Sequence, residues 1–91
     1  MKTIYKYWLK LVDEQTISLP QHSVVLSAIT QPDMIVVYVL ADYTITKIHD
    51  ATIRIVRTGH HFADCEKFRH LATVTTSNDR FVWHVFVEAE Q

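Results

Sequence analysis

Apolar and polar residues alternate with a period of two along most of this chain, and β-branched and aromatic side chains dominate the apolar set, which predicts strands rather than helices. Residues 3–12 place Tyr5, Tyr7, Leu9 and Leu11 on one face and Ile4, Lys6, Trp8 and Lys10 on the other. Lysines interleaved with apolar residues mark an outward face or an edge blunted by charge. A second strand over 15–19 alternates Thr16 and Ser18 with Ile17 and Leu19, and Pro20 ends it because proline cannot donate to a ladder. Residues 23–30 make a third, followed by a turn at Gln31, Pro32 and Asp33.

The run 34–41 shows no alternation, so both its faces are expected to be covered, as in a central strand or a subunit contact. Residues 43–49 and 51–57 read as a pair of strands meeting near Asp50, with Arg54 and Arg57 on opposite faces of the second. Residues 63–69 are the one stretch with helical character, about a single turn. Residues 71–76 and 80–88 resume strand, joined through Ser77, Asn78 and Asp79 as a hairpin-type turn. The expected fold is all-β with a minor helical turn: a compact antiparallel β-sandwich or barrel-like sheet of about seven strands, forming a single domain over 1–91. Tyr5, Tyr7, Leu26, Tyr38, Ile53, Ile55, Trp83 and Phe86 are expected among its buried residues. The unalternating runs 34–41 and 81–87 exceed what one small core absorbs, which predicts a homo-oligomer, a dimer or larger.

Composition narrows the function. A chain of 91 residues with 48% apolar and 21% charged residues folds, but has no room for a core plus an enclosed cleft, so any sizeable pocket forms between subunits. The net charge of −1 lacks the basic excess of a duplex nucleic-acid binder. The longest apolar run is far short of a membrane-spanning helix. A single cysteine and the absence of a signal-peptide pattern at the opening place the expected location in a cytoplasm.

The stretch 55–65, IVRTGHHFADC, holds the only glycine and the only cysteine. His60, His61, Cys65 and His70 are ligand types that zinc accepts, but adjacent strand residues point apart and no second closely spaced pair completes a tetrahedron, so no metal is expected. Asp64 and Glu66 flank Cys65 and oppose formation of its thiolate. No serine-nucleophile motif, phosphate-cradling glycine loop or usefully spaced carboxylate pair is present, so neither catalysis nor a cofactor is expected. Arg57, Thr58, Gly59 and His60 instead suit an anion-binding corner. Gly59 supplies a positive φ that exposes backbone N–H groups, the hydroxyl and imidazole donate, and Arg57 offers a planar fork. An aromatic such as Trp8 or Tyr43, from the same or a neighbouring subunit, would stack on the base of a nucleotide-like ligand. His84 reads as a core histidine with one bonded nitrogen, and Trp8 and Trp83 as core or interface anchors.

The opening MKTIYKY, the segment DEQTISLP at 13–20, the Arg57-Thr58-Gly59-His60 corner and the closing VWHVF at 82–86 together resemble a family of small uncharacterised proteins carried by bacteriophages and bacteria. In that family the corner usually reads glycine-threonine-glycine-histidine. Arg57 stands here at its first position, so no role for Arg57 follows from the resemblance. By analogy of context, the resemblance implies a phage-type accessory protein acting in the host cytoplasm to blunt antiviral defence by binding. It would sequester a small anionic nucleotide signal between subunits or, alternatively, bind a host defence protein across an exposed face anchored by Trp8. A small structural or assembly module is the remaining alternative.

Overall fold

The strand pattern resolves into two facing sheets in the computed structural model, which describes residues 1–89. In chain order the elements are β1 (Thr3–Trp8), β2 (Glu14–Pro20), β3 (Val24–Thr30), β4 (Ile35–Ala41), β5 (Ile48–Arg57), a 3₁₀ turn (Cys65–Lys67), β6 (Phe68–Thr76) and β7 (Phe81–Glu88). The three-stranded sheet has the order β1-β4-β3 and the four-stranded sheet the order β2-β5-β7-β6, with every neighbouring pair antiparallel. The expected all-β antiparallel architecture is therefore the one observed.

The period of two sorts the side chains. Ile35, Val37 and Val39 from β4 meet Ile53 and Ile55 from β5 and Val85 and Val87 from β7, and Leu9 and Leu19 join them in one core cluster. Polar contacts tie the layers, among them one along each side. Arg69 Nη2 on β6 donates to the Val25 carbonyl at the β3 bulge (2.7 Å). Across the molecule the Gln15 carboxamide accepts from the Lys10 N–H (3.0 Å) and donates to the Lys10 carbonyl (2.7 Å).

Burial of the 34–41 run has a cause inside the chain. Val36 faces outward yet is 0% exposed, because register sets Trp8 of β1 on one side of it and Ile29 of β3 on the other. Of the expected buried residues, Ile53 and Ile55 are buried, while Tyr7, Tyr38, Trp83 and Phe86 are half-buried. Tyr5 and Leu26 are exposed, a correction to the sequence reading. The bulge between Val25 and Ser27 breaks the alternation on which Leu26 was placed. Phe86 lies on the outer face of the four-stranded sheet, against Phe62 (4.9 Å between centroids).

Element boundaries differ from the pattern at several points, the first being that β1 ends at Trp8 rather than continuing to Val12. Residues 43–47 are a loop rather than a strand, since Asp42 Oδ1 accepts from both the Thr44 amide (3.0 Å) and the Thr44 hydroxyl (2.5 Å). β5 runs unbroken through Asp50, which sits opposite Ser18 of β2 and accepts its hydroxyl proton (2.8 Å). The helical turn shrinks to Cys65–Lys67, and Phe68, Arg69 and His70 join β6.

Asp42 carries a pH prediction. The Thr44 hydroxyl, then the Met1 ammonium (2.9 Å) and the Thr44 amide, hold its carboxyl at about 2 against an ordinary 3.8. A depressed folded-state value stabilises the fold above the unfolded value and loses that contribution as pH falls through about 2. Carboxyl NMR titration is expected to find Asp42 near 2, and Thr44→Val is expected to move it back toward 3.8. An unchanged midpoint in Thr44→Val contradicts this account.

Candidate functional site

The antiparallel register sets Arg57 at the end of β5 opposite Trp83, and Val56 opposite His84. Alternation then puts Arg57 on the face of Ile53 and Ile55, and Thr58 on the other. The Arg57 guanidinium carbon lies 5.6 Å from the Phe81 ring centre and 5.6 Å from that of Trp83. The indole is held in turn by its Nε1–H donating to Thr76 Oγ1 (2.9 Å). A guanidinium stacked on aromatic rings keeps its in-plane N–H donors available for a carboxylate or phosphate.

The β6–β7 hairpin delivers a second cation. Ser77, Asn78 and Asp79 take φ of 54°, 56° and 68°, left-handed values that asparagine and aspartate tolerate well, and the Arg80 amide closes the turn on the Ser77 carbonyl (3.2 Å). Arg80 then lines an open depression of ≈ 260 Å³ with Arg57, Thr58, Phe81 and Val82. Among the described residues the one ion pair joins the Met1 amine to Asp42, so neither arginine is paired with a carboxylate. Asp33 and Arg80 line the neighbouring hollow with Ser77 and Asn78, and Asp33 Oδ1 accepts the Ser77 N–H (2.9 Å). The unopposed positive charge therefore sits on the Arg57 side.

Thr58 turns the other way and joins a hydrogen-bonded chain over the outer face of the same sheet. Its Oγ1 is 2.7 Å from His84 Nε2, His84 Nδ1 is 2.9 Å from Thr73 Oγ1, and Thr73 Oγ1 is 3.0 Å from His70 Nε2. Both His84 nitrogens are engaged at a half-buried surface position, in contrast to the core histidine with one bonded nitrogen expected from sequence. Beside this chain the 58–64 segment lays Phe62 against Phe68 and Phe86, with the Arg54 guanidinium 4.8 Å from the Phe62 ring centre.

Of the residues the sequence singled out, the structure brings Arg57 and Thr58 to one depression. Gly59, at φ 88°, makes the turn, and the His60 amide donates to the Arg57 carbonyl (3.1 Å), so that N–H closes the corner instead of facing an anion. The His60 and His61 side chains are exposed. Trp8 lies in the other sheet with Lys6 Nζ 4.9 Å from its ring centre. Tyr43 packs edge-on against Tyr5 (4.6 Å), and burial followed by the Tyr5 phenol raises the Tyr43 pKa above its ordinary value. Within one chain neither ring reaches Arg57. Phe81 takes the aromatic place in the depression, and sequence reasoning missed both it and Arg80. The signal available was the turn at 77–79, which fixes Arg80 and Phe81 as the first residues to return beside the end of β5.

A family model described as a domain of unknown function, DUF7352, matches residues 1–91. The chain belongs to this family. Searches of the curated proteins and of the solved structures each find no significant match. For this DUF7352 chain the functional reading therefore rests on the chemistry of its own surface. Among the described residues no helix is long and apolar enough to cross a membrane, and no group of three or more His, Cys, Asp or Glu side chains is placed to hold a metal ion.

Proposed function

We propose that this protein is a non-enzymatic binder that captures a small anionic, nucleotide-like ligand at the Arg57–Arg80 end of its four-stranded sheet. One observation carries the reading: two arginines without carboxylate partners among the described residues meet a threonine and an aromatic ring in one depression. Arg57, preorganised on Phe81 and Trp83, and Arg80 take the phosphates, and Phe81 offers a ring to the base. A depression of ≈ 260 Å³ open to solvent covers only part of a nucleotide, so a second copy closing over it supplies the rest of the enclosure. Removing a signalling nucleotide in this way would blunt a host antiviral response.

Calorimetric titration with ADP, adenosine and pyrophosphate tests the proposal. ADP and pyrophosphate are expected to bind and adenosine not, with Arg57→Ala or Arg80→Ala weakening ADP by roughly tenfold or more, the worth of one charge-assisted hydrogen bond. Trp8→Ala leaves that affinity unchanged. Binding indifferent to both arginine substitutions, or no binding by either phosphate probe, refutes the reading.

A second reading, direct capture of a host defence protein, is favoured by a different observation. The outer face of the three-stranded sheet carries Trp8 at 53% exposure in one cross-strand row with Ile29, and Ile4 at 59% in another with Val24, with no element of the chain laid over them. A host protein that co-purifies with the wild type and with Arg57→Ala but not with Trp8→Ala would select this reading over the first.

A further inference from the structure

We infer that the free edge of β1 is a strand-addition site that takes an extended protein segment in which acidic residues alternate with apolar ones. This site lies in the other sheet from the Arg57 depression and stands or falls independently of the anionic ligand proposed above. The Leu9 N–H donates to the Ile35 carbonyl (2.8 Å), so in the antiparallel register of β1 with β4 the peptide groups of Thr3, Tyr5, Tyr7 and Leu9 face β4. Those of Ile4, Lys6 and Trp8 face the other way, where no strand lies among the described residues. The next outward peptide group, at Lys10, is already paired. The Gln15 carboxamide holds both its N–H and its carbonyl, as the backbone of an added strand would. The molecule thus satisfies this row at one end with a peptide mimic and leaves the remainder open.

Of the other three edges two are bulged, β3 between Val25 and Ser27 and β6 between His70 and Ala72. The third, β2, is regular but has its outward row stopped by the terminal Pro20, which has no N–H, and opens on the acidic Glu14. β1 pairs with β4 residue for residue from Thr3 to Trp8, without bulge or proline. Its outward face sets Lys2, Lys6 and Lys10 in alternation with Ile4 and Trp8 and holds no acidic residue. An added strand with carboxylates opposite the lysines and apolar side chains opposite Ile4 and Trp8 gains cross-strand pairs, with the Lys6 ammonium exchanging its bond to Gln31 Oε1 (3.1 Å) for a carboxylate, and on the opposite face its residues cover the exposed Tyr5 ring. A second copy of β1 is a poor occupant, because antiparallel self-pairing gathers both sets of lysines along one seam.

The test is an NMR titration of the full chain with a capped eight-residue peptide alternating glutamate and valine. The Ile4, Lys6 and Trp8 amides are expected to shift saturably and to slow in hydrogen exchange. A lysine-valine peptide, which sets like charges opposite the lysines, and the glutamate-valine peptide N-methylated at alternate residues, which loses one or two backbone hydrogen bonds, are each expected to bind roughly tenfold or more weakly. Lys6→Pro, which removes an outward N–H without touching the β4 ladder, is expected to abolish binding while keeping a dispersed spectrum and, if the anion site stands, unaltered ADP binding. Equal binding of the methylated peptide, equal binding of the lysine peptide, or no slowing at these amides overturns the inference. So does exchange protection of Ile4, Lys6 and Trp8 in peptide-free protein that sediments as a dimer, which would assign the edge to a second copy.

Discussion

Ile53→Ala is expected to lower the free energy of unfolding by about 2–5 kcal/mol, the cost of deleting a fully buried branched side chain and leaving a cavity. Ile53 is 0% exposed in the middle of β5, opposite Gln15 of β2 and Val87 of β7, and belongs to the single core cluster formed between the sheets. Both of its flanking strands are held in register, so the site has little freedom to collapse. In a chain of 91 residues each kcal/mol moves the thermal midpoint by about 4–8 °C. Urea unfolding should show the lower midpoint with an unchanged slope. A loss below about 1 kcal/mol, well short of the usual range for such deletions, would place Ile53 outside the core.

Arg69→Met should cost about 1.5–3 kcal/mol, the range for a hydrogen bond made by a charged group. Methionine keeps much of the apolar stem, so the change isolates the guanidinium from the packing beneath it. What disappears is the 2.7 Å bond from Arg69 Nη2 to the Val25 carbonyl, at the bulge where β3 departs from regular pairing. That bond joins the two sheets along one side, so its loss should also speed hydrogen exchange in β3 more than in β5. Stability equal to wild type, or exchange raised uniformly in all strands, would show that the bond contributes little to holding the sheets together.

The two substitutions differ in how far sequence announces them. Ile53 follows from alternation alone: Ala51, Ile53 and Ile55 fall on one face whichever partner strands they meet. Arg69 gives no such signal, since its acceptor is a main-chain carbonyl 44 positions away. The candidate site divides in the same way. Arg57 and Thr58 were legible as donors at a glycine turn, but Arg80 and Phe81 join them only because the 77–79 turn returns β7 beside β5. The hydrogen-bonded chain through His84 was illegible for the same reason, with Thr58 and His84 lying 26 positions apart.

Local chemistry determined the strands, the hairpin turn, the facing apolar stripes and the donor character of the corner, because a period of two, a proline or a left-handed turn acts over a few residues. Strand order and register lay beyond that range. They decided that Tyr5 and Leu26 reach solvent and that Val36 is buried on an outer face by Trp8 and Ile29. Each of those outcomes depends on which distant residue lies within a few ångströms, a quantity that closes only when the two sheets pack.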